Sequence, residues 1–260
     1  MLDRKFRNRK HQLQKNKLKH TLATLVLVAV FVQHVAAQVF DASAQFSPTS
    51  NPNSPWHYGF QMALGSGFTL YDTAGPATSE DHSQIFGAID TWSSAALGDN
   101  PEISHNNTSS TFFASDPGLL IEWAANELAL HPGPAGQYSI LRFIAPAARK
   151  YQLDVVFQGI DQTGASTDVH VLKNNGSLFD QQVTGFHVPT SFSTALSLAQ
   201  NDTIDFAVGF GANGNYFDDN TGTHVVITVV PEPSSLALTT AGIGLFIVSR
   251  AVHGTKIARA

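Results

Sequence analysis

The sequence predicts an all-β body flanked by a short apolar helix at each end, and three observations carry that expectation. Between residues 137 and 230, apolar and polar side chains alternate with period two. Turn signals rich in Gly, Asn, Asp and Pro separate the alternating runs. No linker and no internal repeat divides residues 38–230, so the body reads as one domain. Strands at that spacing make a single antiparallel β-sandwich, here of eight to ten strands and of the jelly-roll kind.

Taken in chain order, the first element is an export signal over residues 1–37. A basic stretch from Arg4 to Lys19 precedes an apolar run over 22–32, and Val35-Ala36-Ala37 supplies the small residues of a cleavage site. The run is short for the ~30 Å of a bilayer core, which favours a removed signal over a permanent anchor. In the first half of the body, strands are expected at 58–64, 68–71, 112–113 and 119–123. The polar stretches 72–84 and 97–110, with their Gly, Pro, Asn and Ser, read as long loops.

The second half is clearer. Over 150–160, Tyr151, Leu153, Val155 and Phe157 alternate with Gln152, Asp154 and Gln158. Residues 166–173 set Val169 and Val171 opposite Asp168 and His170. Asn175-Gly176 is the expected left-handed pair of a hairpin turn, followed by a returning strand at 177–183. Further strands are expected at 137–144, 192–198, 203–210 and 223–230.

Charge is distributed by segment. Eight of the fifteen Lys and Arg lie in the first nineteen residues and three, Arg250, Lys256 and Arg259, in the last eleven. The body keeps four basic side chains against eighteen acidic ones, a net charge of −14. Phosphate neutralisation needs clustered cations, so nucleic acid is excluded as a partner of the body. There is no cysteine, which excludes thiol catalysis, thiolate metal sites and disulfides.

The last element spans 231–260. Pro231-Glu232-Pro233 cannot continue a strand; an apolar run over 236–248 follows, then Arg250, Lys256 and Arg259. Basic residues on the far side of the run would stay in the cytoplasm. This end resembles the PEP-CTERM sorting signal of Gram-negative bacteria, with the basic residues dispersed over eleven positions instead of paired directly after the helix. The resemblance implies a transmembrane helix, an exosortase acting near the motif, and export through the Sec machinery and signal peptidase. An intermediate anchored in the inner membrane would then pass to the cell surface or extracellular matrix. The body is similar to jelly-roll segments of PEP-CTERM proteins from planctomycete-type bacteria. The similar stretches are His131-Pro132-Gly133-Pro134 with Tyr138 to Arg142, Thr167 to Leu172, Asp205 to Gly209 and Gly214 to Phe217, together covering residues 46–230. Such modules resemble carbohydrate-binding modules in architecture, which implies a non-catalytic role.

Candidate contacts follow from residue chemistry. Trp56 and Tyr58, two apart in an extended segment, and Tyr216, in a glycine-rich loop, are candidate platforms for sugar rings; Trp92 and Trp123 read as core. Asp161, Asp168 and His170 are candidate polar contacts. Asp218 and Asp219 carry hard oxygen donors of the kind Ca²⁺ takes. None of the seven histidines of the body forms a zinc-type motif, and no nucleophile elbow or phosphate loop is present. The reading that follows is a surface module that binds polysaccharide. Its alternatives are a structural or adhesive protein without a specific ligand, and a polysaccharide lyase or glycosidase.

Overall fold

Period-two runs become strands where one face can be buried, and most of the described residues, 37–79, 82–116 and 119–231 of a computed structural model, are built that way. In chain order the strands are β1 (Val39–Asp41), β2 (Trp56–Gln61), β3 (Phe68–Leu70), β4 (Thr73–Thr78), β5 (Ile85–Ser94), β6 (Gly98–Asn106), β7 (Phe112–Asp116) and β8 (Leu119–Trp123). They continue as β9 (Leu128–His131), β10 (Tyr138–Ile144), β11 (Arg149–Gly159), β12 (Ser166–Lys173), β13 (Gly176–Thr184), β14 (Pro189–Leu198), β15 (Thr203–Gly209) and β16 (Thr221–Val229). Pro231 is described and exposed. The expected signal and membrane helices, with Glu232, Pro233 and Arg250, lie outside the described residues. Among the described residues no helix is long and apolar enough to cross a membrane.

Two antiparallel sheets form a sandwich. The larger runs β14-β11-β16-β9-β6-β5-β4, with β1 paired to the end of β16; the smaller runs β13-β12-β15-β10-β2-β3. Alternate residues of both sheets meet between them. Trp56 and Tyr58 of β2, Phe143 of β10 and Phe206 of β15 lie against Tyr151 and Phe157 of β11 and Ile227 of β16, all fully buried. Removing one such ring costs about 3–5 kcal/mol. A separate β7–β8 hairpin carries a second, smaller cluster built on Ala77, Ile89, Ala114, Ile121, Trp123, Ala129 and Ile160. Ile89 and Ala129 alternate along their strands with Trp92 and Leu130 of the main core. The hairpin therefore covers the outer face of the larger sheet.

Several expectations are corrected. Among the described residues sixteen strands stand where eight to ten were expected. The stretches read as long loops contain β4 and β6, and β1, β5 and β9 had no sequence signal strong enough to mark them. Their partners explain why. β6 is paired on both sides over residues 103–105, by β5 and β9, and Gly98 pairs with Ser94 beyond a register shift, so the well-paired half extends the strand through a start of Gly, Asp, Asn and Pro. The hairpin turn between β12 and β13 is made by Asn174 and Asn175, both with positive φ, while Gly176 already pairs with Lys173. Residues 166–173 and 119–123 are strands with the expected bounds.

Candidate functional site

The loop between β15 and β16 is tied down at several points. Gly211 N–H donates to Asp168 Oδ1 (2.8 Å), and Asn213 Nδ2 donates to Ser166 Oγ. Ser166 N–H donates to Asp219 Oδ1 (3.0 Å), and Asn220 N–H to Asp161 Oδ2 (2.5 Å). Gly211 is required for this approach: it has φ +68°, and a Cβ there would lie 2.2 Å from the Ser166 carbonyl oxygen. The glycine lets the loop meet β12 rather than a ligand. Strapped at both ends, the loop rises in between and presents Tyr216, half-buried, and Phe217, 57% exposed, with ring centroids 4.5 Å apart. Below them, His131 of β9 meets the Tyr216 ring edge-on at 6.0 Å.

These rings form one wall of an open cavity of about 600 Å³ on the outer face of the larger sheet. Phe86 and Trp123 contribute apolar lining. Asp99, Asn100, Glu102, Asp218 and Asn220 contribute oxygen and amide groups. Trp123 is held as part of the floor, 2% exposed, with its indole N–H donating to Ser104 Oγ (3.1 Å). Among the described residues, no Lys or Arg lines the cavity.

Electrostatics set its polarity. Burial pushes the Glu102 carboxyl up to about 8, and the charge of Asp99 adds to the effect. Glu102 thus carries a proton at neutral pH and can donate a hydrogen bond. Burial pulls His131 down to about 4, against the hydrogen bond its Nδ1 makes to the Pro132 carbonyl, so its ring is neutral. Behind the loop, burial pushes Asp161 up to about 7 against two hydrogen bonds from Asn220. Asp219 is pushed to about 7 by burial, against the bond from Ser166, with the charges of Asp218 and Asp168 adding. Its Oδ2 is buried with no hydrogen-bond partner.

The structure sorts the expected site residues into three groups. Trp56 and Tyr58 are fully buried and cannot be platforms. They do share a face, as the spacing implies, but it is the core face; the Trp56 N–H donates to Gln45 Oε1 and the Tyr58 hydroxyl accepts from Ser47 N–H. Asp161, Asp168 and His170 are supports and not surface contacts. Asp168 is held below the usual carboxylate range: burial would raise it, but bonds from His170, Tyr138 and the Gly211 N–H outweigh that. His170, 5% exposed, steadies Asp168 from beneath. Tyr216 and Asp218 do line the cavity. Among the described residues, no group of three or more His, Asp or Glu side chains is placed to hold a metal, so Asp218 and Asp219 would need backbone carbonyls to complete a Ca²⁺ shell. Phe86, Asp99, Glu102 and Phe217 were not singled out from the sequence. Phe217, adjacent to Tyr216 in the same loop, was the one with a local signal.

No protein-family model matches the chain, and no curated protein does. Solved structures with a similar arrangement include a CBM51 module from Clostridium perfringens GH95 in complex with methyl-galactose, at 14% identity and a TM-score of 0.33, covering 74% of this chain and 100% of that one. A family 35 carbohydrate binding module from Clostridium thermocellum matches at 12% identity and 0.28, covering 60% and 98%. A beta-glucosidase from Kluyveromyces marxianus in complex with glucose matches at 11% and 0.29, covering 74% of this chain but 18% of that one. Likenesses this distant assign neither family nor ligand.

Proposed function

We propose that this protein is a non-catalytic jelly-roll module that binds polysaccharide at the cell surface, through the cavity under Tyr216 and Phe217. One observation carries the reading: two accessible aromatic rings border a cavity of about 600 Å³ that also offers carboxyl and amide groups. Pockets of this size suit small ligands or a few units of a chain. Flat rings pack on the C–H faces of sugars, and the polar groups match hydroxyls. A lining that among the described residues has Asp99 and Asp218 but no Lys or Arg favours a neutral glycan over an acidic one.

Export belongs to the same proposal. It is supported by the basic head and apolar run before residue 37, and by Pro231-Glu232-Pro233, the apolar run and Arg250 beyond the body. On this reading signal peptidase removes the first segment, an exosortase processes the last, and the −14 body works outside. Ca²⁺ enters at Asp219, whose unpartnered Oδ2 is where a cation would replace a proton.

Calorimetric titration of residues 37–230 with neutral and acidic polysaccharides tests the site. Binding to a neutral glycan is expected, weakened at least tenfold by Tyr216→Ala with Phe217→Ala. Binding that survives the double substitution refutes the cavity. Absence of binding to any glycan favours the structural or adhesive reading. Glu102 alone favours a second reading, a glycosidase or lyase, because an acid held protonated at neutral pH in a cavity can serve as a proton donor. Product release from the same glycans, abolished by Glu102→Gln, would establish it.

A further inference from the structure

The apolar and the polar side chains of the cavity come from different elements. Ala77 of β4, Phe86 of β5, Ala114 of β7, and Ile121 and Trp123 of β8 supply an apolar part. All but Phe86 belong to the smaller core cluster, and Phe86 packs against it, so the cavity ends there on a continuous apolar surface. Phe112 links the two large rings, 5.8 Å from Phe86 and 6.3 Å from Trp123. Carboxyls and amides enter instead from β6, as Asp99, Asn100 and Glu102, and from the β15–β16 loop, as Asp218 and Asn220.

Two features shape the apolar part. Each alanine is paired across its ladder with a large side chain, Ala77 with Phe86 and Ala114 with Ile121. A small side chain beside a large one on a cavity wall leaves a hollow that a ligand group can fill. The polar atoms nearby are also already engaged. The Trp123 indole N–H donates to Ser104 Oγ (3.1 Å), the Thr91 hydroxyl donates to the Gly75 carbonyl (3.0 Å), and the Thr78 hydroxyl meets His82 Nδ1 (3.2 Å). A sugar hydroxyl turned to this side gives up its water and finds these groups taken. A methyl group gives up nothing and gains apolar contact.

We propose that the cavity selects sugars that carry a methyl group. The methyl sits in the hollow on Ala77, Ala114, Ile121 and Trp123, and the hydroxyls turn to the carboxyls and amides. This inference rests on the reading of the cavity as a glycan site and narrows that reading to 6-deoxy or N-acetyl sugars, which share the methyl group.

Residues 37–230 form one compact unit that holds the described core, so they can be tested alone. NMR titration with matched sugars reads the preference: L-fucose against L-galactose, L-rhamnose against L-mannose, and N-acetylglucosamine against glucose. At least one methyl-bearing member is expected to bind about tenfold more tightly than its partner. Preference within the first two pairs assigns a 6-deoxy sugar, and preference within the third assigns an acetamido sugar. Saturation transferred from the protein should be strongest at the methyl protons of the preferred sugar. Ala114→Leu, which fills the hollow, should bring the members of that pair to equal affinity, with thermal unfolding reporting that the fold is intact. Equal affinity within every pair, or methyl protons less saturated than ring protons, would overturn the inference. If such binding were still lost in Tyr216→Ala with Phe217→Ala, the cavity would remain a glycan site. Sugars and polysaccharides that all fail to bind would remove both.

Discussion

The outer faces of the two sheets began from similar polar side chains and ended differently. On the smaller sheet the charges are matched in the plane. Arg142 donates from Nε and Nη2 to the two oxygens of Asp205 at 2.6 and 2.7 Å, Gln61 adds a third bond to Asp205, and the guanidinium lies 4.1 Å over the Phe68 ring. Tyr138 and His170 do the same for Asp168. Gly209 makes room for that cluster, since a Cβ there would lie 2.4 Å from Asp168 Oδ1. On the larger sheet Glu102, Asp99 and Asp218 border a cavity that, among the described residues, no Lys or Arg lines, and Asp99 meets His82 at 3.3 Å. Carboxylates tied up by Arg, Gln and Tyr make a wall; carboxyls that border open space, beside a hairpin and a strapped loop, make a place where a ligand has something to do.

The largest expected effect breaks the wall. Asp205→Ala leaves the Arg142 guanidinium, 16% exposed, without its carboxylate, and should cost about 3–5 kcal/mol in urea unfolding. Glycan binding per folded molecule should stay unchanged, because the cavity lies on the other sheet. Asp161→Ala should act in the opposite sense. It frees the Asn220 N–H behind the loop, at about 1–3 kcal/mol, and should weaken glycan binding several-fold by releasing Tyr216 and Phe217.

A smaller effect is read in pH. The folded protein holds the Glu102 proton more tightly than the unfolded chain, whose carboxyl has its ordinary value of 4.5. Stability from this group is therefore complete below pH 4.5 and is lost as pH rises toward 8; Asp161 and Asp219 follow it up to about 7. His131 works the other way, losing stability as pH falls from 6.5 toward 4. Between pH 6.5 and 8 the proton held by Glu102 is lost from the folded chain, and its share of the fall in unfolding free energy should be about 1–2 kcal/mol. Glu102→Gln should flatten that slope, and a slope unchanged by the substitution would remove Glu102 from the account. The smallest effect belongs to Asp219→Asn. It removes an ionisable oxygen that has no partner, and should raise the melting temperature slightly at pH 8 but not at pH 6. Added Ca²⁺ should raise it at pH 8 in the wild type alone.

How far these features were readable depended on what each strand face meets. β11 and β12 have one face in the core and one turned outward, so their alternation was plain, and 166–173 was read with its observed ends. β4 is a mostly exposed edge strand interrupted by Gly75 and Pro76, and β6 starts with Gly, Asp, Asn and Pro and has its outer face under the hairpin and cavity, so no clean alternation was left to read in either. The Tyr216 loop announced itself through glycines and asparagines. Glu102 did not, because one acid in a strand looks like any other until burial raises its proton affinity. Trp56 and Tyr58 were correctly placed on one face and then assigned to the wrong side of it.

Alternation and turn residues were enough to mark most strands of the second half, many of the turns, and the separation of an acidic body from basic ends. These depend on neighbours one to four residues apart, whose geometry is local. Which aromatic rings are buried, which carboxyls are supports and which face open space was settled by long-range packing. Those outcomes depend on contacts such as Arg142 with Asp205 or Ser166 with Asp219, made across tens of residues, and desolvation is a property of the assembled surroundings and not of the residue.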